Sequence, residues 1–245
     1  MSDCKGADTP IDTNLRLEKS EDVCKQYPYQ QLIGSLMYLS VLTRPDISYS
    51  VSYLSQFNNC FTSVHWKQAK RILKYLQKTK SYGLMFTNDN CNLEGFVDAD
   101  WASNAIDRKS YTGFCFKFSG AVISYECKKQ QTVALSSTEA EYMAIAEACK
   151  EAIYLKNLLS EIASCDYSIV LFNDNQGAQR LTENPLFHKR TKHIDVRHHF
   201  VRESVANNLV KIVYLPTSEM PADLLTKGLP SVQIILISGG VKISL

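Results

Sequence analysis

Four carboxylates lie in sequence contexts that could together hold divalent metal ions. Each is predicted to lie at or near the end of a strand or helix: Asp98 in Gly-Phe-Val-Asp-Ala-Asp, Glu141 in Ser-Ser-Thr-Glu-Ala-Glu-Tyr, Asp174 in Asn-Asp-Asn-Gln-Gly and Asp223 in Pro-Ala-Asp-Leu-Leu. Hard cations such as Mg²⁺ prefer oxygen ligands and retain several waters. Two such ions can bind the attacking and leaving oxygens of a phosphodiester. The four acids therefore predict a nuclease site with two Mg²⁺ ions, for which Mn²⁺ could substitute.

Each acid also has an ordinary structural explanation. Asp98 and Asp100 could be solvated residues in a turn, and Asp174 could be a helix N-cap. Asp223 falls in a first helical turn, where the helix dipole favours a carboxylate. We favour the metal site because all four acids occur in one chain, in the order strand, helix, strand, helix. Asp100 is a weaker candidate, since it lies on the same side of an extended segment as Asp98.

Two glutamates compete for the position on the long helix. Ser136 and Glu139 fit a capping box, in which the glutamate carboxylate reaches back to the N-cap amide. Glu141 lies about half a turn further along, where its side chain can point toward the strand end that carries Asp98. We favour Glu141 as the ligand and keep Glu139 as a weaker candidate. Thr138 and Glu141 also fit a capping box, so the choice stays open.

Basic residues form groups that could contact nucleic-acid phosphates. One group lies on a predicted helix with no acid between His65 and Tyr82, and another follows residue 187. A solvated helix face explains these charges equally well, and a turn explains the pair before the long helix. His188, His193 and His198 are not spaced to lie on one helix face, which disfavours a histidine metal site. We keep His193 as a weaker candidate. The candidate phosphate contacts are Lys67, Lys70, Arg71, Lys74, Lys128, Lys129, Lys189, Arg190, Lys192 and Arg197.

Apolar periodicity predicts a small helical region followed by an α/β domain. Helical spacing runs from Tyr29 to Tyr82 and is interrupted at Pro45. From Leu93 onward the predicted order is β-β-β-α-β-α-α-β-α, with the last helix beginning at Ala222. A meander followed by strands reached through helices gives a mixed sheet with helices on its faces. The predicted boundaries are a polar arm or linker at 1–26, the helical region at 27–90, the α/β domain at 91–230 and a tail at 231–245.

The bulk composition is that of a globular chain. The 245 residues are 45% hydrophobic and 21% charged, which favours a packed core over disorder. The net charge of +2 does not by itself indicate nucleic-acid binding. Apolar runs fall short of the ~20 residues that span a bilayer, so no membrane partner is expected. The eight cysteines form no C-x-x-C pair and follow no signal peptide, so we expect free thiols inside the cell.

Many short motifs, in a fixed order, resemble the C-terminal end of copia-type retrotransposon Pol polyproteins. They are Tyr29–Leu39, Thr43–Ile47, Asp98–Trp101, Asp107–Ser110, Lys128–Gln130, Ser136–Tyr142, Asp174–Gly177, His188–Asp195 and Ala222–Lys227. The resemblance covers about residues 7–230. It implies a thumb- and connection-like region up to about residue 90, and then a ribonuclease H-like domain with a five-stranded mixed sheet and flanking helices.

The resemblance implies an endonuclease that hydrolyses the RNA strand of RNA–DNA hybrids. The family's four metal-binding acids correspond to Asp98, Glu141, Asp174 and Asp223. The implied partners are the hybrid and a reverse transcriptase core, whose Tyr-x-Asp-Asp motif this chain lacks. The implied location is the nucleus or cytoplasmic particles. Two alternatives stay open, namely a catalytically inactive nucleic-acid-binding module and a non-functional relic of a truncated element.

The chain departs from the family pattern at a few positions outside the four acids. Tyr125 stands where a tryptophan is usual, Cys127 where a serine is usual, and Ser103-Asn104 where Gly-Asp is usual. These departures are expected to affect substrate contacts more than the chemistry.

Overall fold

A computed structural model describes residues 4–13, 16–20, 26–87, 92–163, 169–183 and 192–231. A helical region precedes an α/β domain, as the periodicity predicts. The elements in chain order are α1 (Tyr29–Leu42), a 3₁₀ helix (Pro45–Ile47), α2 (Ser48–Ser55), α3 (Ser63–Lys78), β1 (Glu94–Ala99), β2 (Tyr111–Phe118), β3 (Ala121–Lys129), α4 (Ser137–Ala163), β4 (Ile169–Asn173), α5 (Gln176–Glu183), α6 (Lys192–Ala206), β5 (Val210–Tyr214) and two further 3₁₀ helices (Thr217–Glu219 and Pro221–Leu225).

The five strands form one mixed sheet in the order β3-β2-β1-β4-β5. The strands β1, β2 and β3 form an antiparallel meander, whereas β4 is parallel to both β1 and β5. Strands joined through helices can pair in parallel, while tight turns restrict their strands to antiparallel pairing. The predicted five-stranded mixed sheet with flanking helices is confirmed. The helix predicted to begin at Ala222 is, however, a short 3₁₀ helix at Pro221–Leu225. Lys128 and Lys129, for which a turn was an alternative, belong to β3.

Alternating side chains give the sheet two apolar faces. Val97 of β1 points into the core beneath α4, together with Phe114, Phe116 and Leu171. Its neighbour Phe96 points to the opposite face, in a cluster that includes Met220, Ala222 and Leu225. The C-terminal 3₁₀ helix is therefore held against the sheet by apolar contacts, and this packing brings its acid to the edge of β1.

The helical region has a core of its own. Ile33 and Leu36 of α1 pack with Val51 and Leu54 of α2, in a cluster that also includes Ile72 of α3. Thr62 and His65 form the capping box that begins α3. The segment before α1 adds the buried side chains of Ile11 and Leu17 to this core. Part of the segment that was predicted to be a polar arm therefore packs on the helices.

A buried ionic network connects the α1–α2 turn to α3. The Arg44 guanidinium donates to both Asp46 carboxylate oxygens, at 2.9 and 2.7 Å, and also to the Thr79 hydroxyl at 2.6 Å. The Tyr75 hydroxyl donates to Asp46 Oδ2 at 2.8 Å. All four residues are buried. Because the charges are paired and further hydrogen-bonded, the network is tolerated inside the core.

The helical region docks on the α/β domain through Gln56, just after α2. Its amide nitrogen donates to the Tyr111 hydroxyl at 2.6 Å. Its amide oxygen accepts from Asn104 Nδ2 at 2.9 Å and from Lys129 Nζ at 2.6 Å. One of the departures from the family pattern, Asn104, thus contributes to this contact between the two regions.

The other two departures also lie between the regions. Tyr125 and Cys127 of β3 line a cavity of about 290 Å³ together with Met37 and Val41 of α1 and Ser52 of α2. These two positions therefore lie between β3 and the helices, and the expectation that they affect substrate contacts stays a prediction.

Within the described parts of the chain, none of the helices is long and apolar enough to cross a bilayer. The cysteines described there as free thiols are Cys4, Cys60, Cys115, Cys127 and Cys149.

Candidate metal centre

Three of the four predicted acids converge at one edge of the sheet. Asp98, Glu141 and Asp174 each offer a carboxylate oxygen, and these oxygens all lie within 4.8 Å of one another. Asp98 and Glu141 are buried, at 3% and 5% exposure, and Asp174 is half-buried. The convergence follows from topology: Val97 pairs with Asn173 in the parallel strands β1 and β4, so the next residue of each strand reaches the same edge.

Glu141 enters the cluster from α4 and is held by two hydrogen bonds. Asn173 Nδ2 donates to Glu141 Oε2 at 2.9 Å, and the backbone N–H of Ala99 also donates to this carboxylate. Burial, and then the nearby charges of Asp98 and Asp174, raise the pKa of Glu141 well above its usual value. The carboxylate is therefore fixed in place although its charge is unfavourable without a cation.

Asp223, the fourth predicted acid, adjoins the cluster beside a lysine. Lys227 Nζ lies 2.8 Å from Asp223 Oδ1 and 3.8 Å from Asp98 Oδ2. Burial and the charge of Asp98 raise the pKa of Asp223 to about 7, and Lys227 opposes this shift. Burial alone would lower the pKa of Lys227, but Asp98, Asp223 and Asp174 raise it above its usual value. Lys227 thus supplies positive charge beside the acids.

Close packing of the C-terminal segment orients Asp98. The Thr226 hydroxyl donates a hydrogen bond to Asp98 Oδ2. Opposite Asp98 in β2 stands Gly113, where an added Cβ would come within 2.8 Å of Leu225 and 3.0 Å of the Ala222 carbonyl oxygen. A glycine is required here by this close approach, because backbone atoms cannot move aside as a flexible side chain can.

The weaker candidates have other contacts. Asp100 accepts a hydrogen bond from the Tyr111 backbone N–H, and burial raises its pKa to about 7. Glu139 Oε2 accepts from the Leu135 backbone N–H at 2.9 Å, so Glu139 caps the start of α4 while Glu141 joins the acids. The side chain of His193 lies outside the described residues.

Two of the predicted basic residues line a cavity of about 330 Å³ next to α4. Lys128 and Arg197 lie there with Gln130, and sequence reasoning missed Lys150, which also lines it. Lys129 reaches the same cavity but is bound to Asp107 at 2.8 Å as well as to the helical region. The cavity therefore presents positive charge, although Lys129 has a structural partner and Lys150 forms an ion pair at 3.0 Å with Glu147, which also lines the cavity.

The basic face of α3 is partly covered by the segment before α1. Arg71 donates to the Thr9 carbonyl at 3.1 Å and to its hydroxyl at 2.8 Å. Lys70 Nζ lies 5.7 Å from the Trp66 ring centroid. Lys67 and Lys74 line a cavity of about 420 Å³. Outside the described residues lie Lys189 and Arg190, and the side chain of Lys192.

The donor set fits a divalent cation. All the candidate ligands are carboxylate oxygens, which hard cations prefer. Burial and the repulsion from Asp98 and Asp174 raise the pKa of Glu141, and a cation bound between these acids would offset the repulsion.

Comparison with known proteins identifies retrotransposon relatives. The chain is 42% identical over 238 residues to the retrovirus-related Pol polyprotein from transposon TNT 1-94 of Nicotiana tabacum, covering 94% of this chain and 18% of that protein. It is 37% identical over 236 residues to the corresponding protein from transposon RE2 of Arabidopsis thaliana, covering 95% and 16%. The chain thus spans less than a fifth of the length of these relatives. No protein-family model matches it.

Solved structures with a similar fold include ribonucleases H. LC11-RNase H1, isolated from compost, has a TM-score of 0.43 at 13% identity, covering 56% of this chain and 94% of that chain. A foamy viral protease-reverse transcriptase in complex with an RNA/DNA hybrid also gives 0.43, at 12% identity, covering 77% and 24%. These relatives match 94–95% of the chain at 37–42% identity, and they confirm its resemblance to part of the copia-type retrotransposon Pol polyproteins.

Proposed function

We propose that this chain is a metal-dependent endonuclease that hydrolyses the RNA strand of RNA–DNA hybrids. The observation that carries the proposal is the convergence of Asp98, Glu141 and Asp174 within 4.8 Å. The neighbouring position of Asp223 supports it as a fourth acid. The similarity to retrotransposon Pol polyproteins supports the reaction type.

The residues of the site would hold the cations and keep the acids in place. Asp98, Glu141 and Asp174 would bind Mg²⁺, with Asp223 completing the set for a second ion, and Mn²⁺ as a substitute. When bound, the two ions activate a water and stabilise the leaving 3′-oxygen. Thr226 and Asn173 orient two of the carboxylates through hydrogen bonds. No protein nucleophile is required.

The lysines and the arginine of the cavity beside α4 would hold the substrate's phosphates. Lys128, Lys150 and Arg197 line one cavity beside α4 and provide positive charge for this purpose. Selection of the RNA strand would depend on contacts to 2′-hydroxyls in the minor groove. The same proposal includes the reverse transcriptase core as a partner and an intracellular location, in the nucleus or in cytoplasmic particles.

Replacing Asp174 with asparagine is expected to abolish hybrid cleavage, because the cluster then loses a charged oxygen ligand. The measurement is the rate of cleavage of a labelled RNA strand within a hybrid, in Mg²⁺, by the intact chain and by Asp174→Asn. A matched control is Glu161→Gln, which neutralises an exposed acid near the end of α4. We expect this control to cleave like the intact chain.

Three outcomes decide the proposal. Cleavage that is lost in Asp174→Asn and kept in Glu161→Gln supports it. Hybrid binding without cleavage, in Mg²⁺ and in Mn²⁺, would contradict it and support an inactive nucleic-acid-binding module. A chain that aggregates without a cooperative melting transition would instead support the relic, and would equally contradict the proposal.

Replacing Arg197 with alanine is expected to weaken hybrid binding and to reduce its salt dependence. Loss of one phosphate contact should lower the slope of log K against log salt by about 1. Binding is measured by fluorescence anisotropy across a salt series. Lys211→Ala serves as the control, since this exposed residue lies on β5, at the edge of the sheet opposite β3. An unchanged slope in Arg197→Ala would exclude this phosphate contact.

A further inference from the structure

An exposed indole follows the strand that carries the first acid of the cluster. Trp101 follows Asp98 by three residues and is 54% exposed. Its ring is held in one orientation, because Nε1–H donates to the Ala134 carbonyl oxygen at 3.2 Å. On either side of Ala134, the side chains of Val133 and Leu135 are also exposed, the latter by 76%. Together Trp101, Val133 and Leu135 form what we call the apolar ledge.

The apolar ledge is connected on both sides to the candidate ligands. Trp101 is joined to Asp98 through the end of β1. The Leu135 N–H donates to Glu139 at the start of α4, two residues before Glu141. Between the two sides, Ala134 is buried in the core beneath α4. An aromatic side chain that is already fixed by its surroundings loses little conformational freedom when a ligand binds.

The surroundings of the apolar ledge favour a nucleic acid as its occupant. The segment that carries Val133 and Leu135 begins at Gln130 and Gln131, which line the basic cavity together with Lys128 and Arg197. The apolar ledge and part of the basic cavity thus belong to one segment, which leads into the helix that carries Glu141. A nucleic acid offers phosphates for the basic cavity and apolar sugar faces for the ledge. In a paired duplex the bases are stacked on each other, so an indole contacts sugars at the groove edge.

We propose that Trp101 binds the hybrid directly, packing its indole face against sugars next to the scissile phosphate. This inference rests on the proposed function, because it takes the hybrid as the ligand. Trp101 is then a binding residue that positions the duplex over the acids. It takes no part in the chemical step.

The test uses Trp101 as its own reporter. The chain has two tryptophans, and the other, Trp66, stacks on Tyr27 with ring centroids 5.1 Å apart. Trp66→Phe keeps an aromatic ring there and leaves Trp101 as the single indole. Asp174→Asn is added to prevent cleavage. A hybrid is titrated in Mg²⁺ while indole fluorescence is followed, and anisotropy of an end-labelled hybrid measures binding independently.

The expected result is saturable quenching of Trp101 at the hybrid concentrations at which anisotropy reports binding. Trp101→Ala should weaken hybrid binding by about tenfold, and Trp101→Phe by less, because burial of an aromatic ring against apolar sugar atoms contributes most of such a contact. The matched control is Tyr154→Ala, which removes an exposed aromatic ring from α4. This variant should bind the hybrid like the parent. Circular dichroism and melting curves check that each variant folds.

The inference is overturned if the hybrid binds while Trp101 emission and the affinity of Trp101→Ala both stay unchanged. It is also overturned if emission depends on protein concentration alone, since the ledge would then bind a second copy of the chain. A folded protein that binds no hybrid contradicts both this inference and the proposed function. If the hybrid quenches Trp101 but the chain with all four acids intact does not cleave the hybrid, only the proposed function is contradicted.

Discussion

Replacing Glu141 with glutamine is expected to abolish hybrid cleavage and, at the same time, to stabilise the metal-free protein. The variant loses a charged ligand and should bind the metal poorly. A bound catalytic metal contributes several kcal/mol of transition-state stabilisation, so its loss should lower the rate by about 10³-fold. Without metal, the same change removes a buried charge that lies beside Asp98 and Asp174. Glutamine keeps an oxygen that can accept the hydrogen bond from Asn173.

The gain in stability should depend on pH. Because the pKa of Glu141 is raised in the folded state, the folded protein binds this proton more tightly than the unfolded chain. The resulting stabilisation is complete below the unfolded pKa of about 4.3 and is lost as the pH rises through the folded pKa. Glutamine resembles the protonated acid. The difference in Tm between the variant and the parent should therefore be small at about pH 5 and increase with pH.

Thermal unfolding with and without Mg²⁺ measures these effects. Mg²⁺ should raise the Tm of the parent, because a ligand that binds only the folded state stabilises it. The Tm of Glu141→Gln should respond much less, and Glu161→Gln should behave like the parent. If Glu141→Gln melts below the parent without metal and keeps the full response to Mg²⁺, Glu141 has only a structural role.

Replacing Asp46 with asparagine is expected to destabilise the protein by about 3–5 kcal/mol, because it leaves the Arg44 charge buried without its partner. Tyr75 would also lose the charged acceptor of its hydrogen bond. The 3₁₀ helix that contains Asp46 contacts the 3₁₀ helix that carries Asp223. Loss of the network should therefore also lower cleavage under conditions in which the variant stays folded.

Urea unfolding, followed by circular dichroism, measures this loss. The matched control is Glu126→Gln, which removes one partner of a more exposed ion pair with Lys128. Such surface pairs contribute about 0–1 kcal/mol. If both variants lose equally little stability, the Arg44–Asp46 pair does not contribute as its burial implies.

The topology could be predicted from the sequence because strands and helices leave local patterns. Alternation along β1 places Phe96 and Val97 on opposite faces, and helical spacing marks α4. Asp98 and Asp174 could be placed together because parallel strands bring their carboxyl ends to one edge. The sequence favoured Glu141 over Glu139 but left the choice open, since both glutamates fit a capping box. The structure places Glu141 with the other acids and Glu139 at the start of α4.

Other parts of the site depend on contacts between distant segments, which periodicity does not encode. Asn173 holds Glu141 through an amide that nothing in its own segment distinguishes. The docking of the helical region through Gln56 joins residues more than 45 positions apart. The contact of Lys227 with Asp223 could have been predicted, because the two residues are four positions apart, which is the spacing of side-chain ion pairs on helices. The sequence prediction used only the acid of this pair.

The most direct measurement of the central claim is cleavage of a hybrid with each strand labelled in turn, in Mg²⁺ and after chelation of the metal. We expect cuts in the RNA strand only, complete loss of cleavage on chelation, and recovery when Mg²⁺ or Mn²⁺ is added back. An intact RNA strand in the presence of both metals, with a folded protein that still binds the hybrid, would contradict this claim.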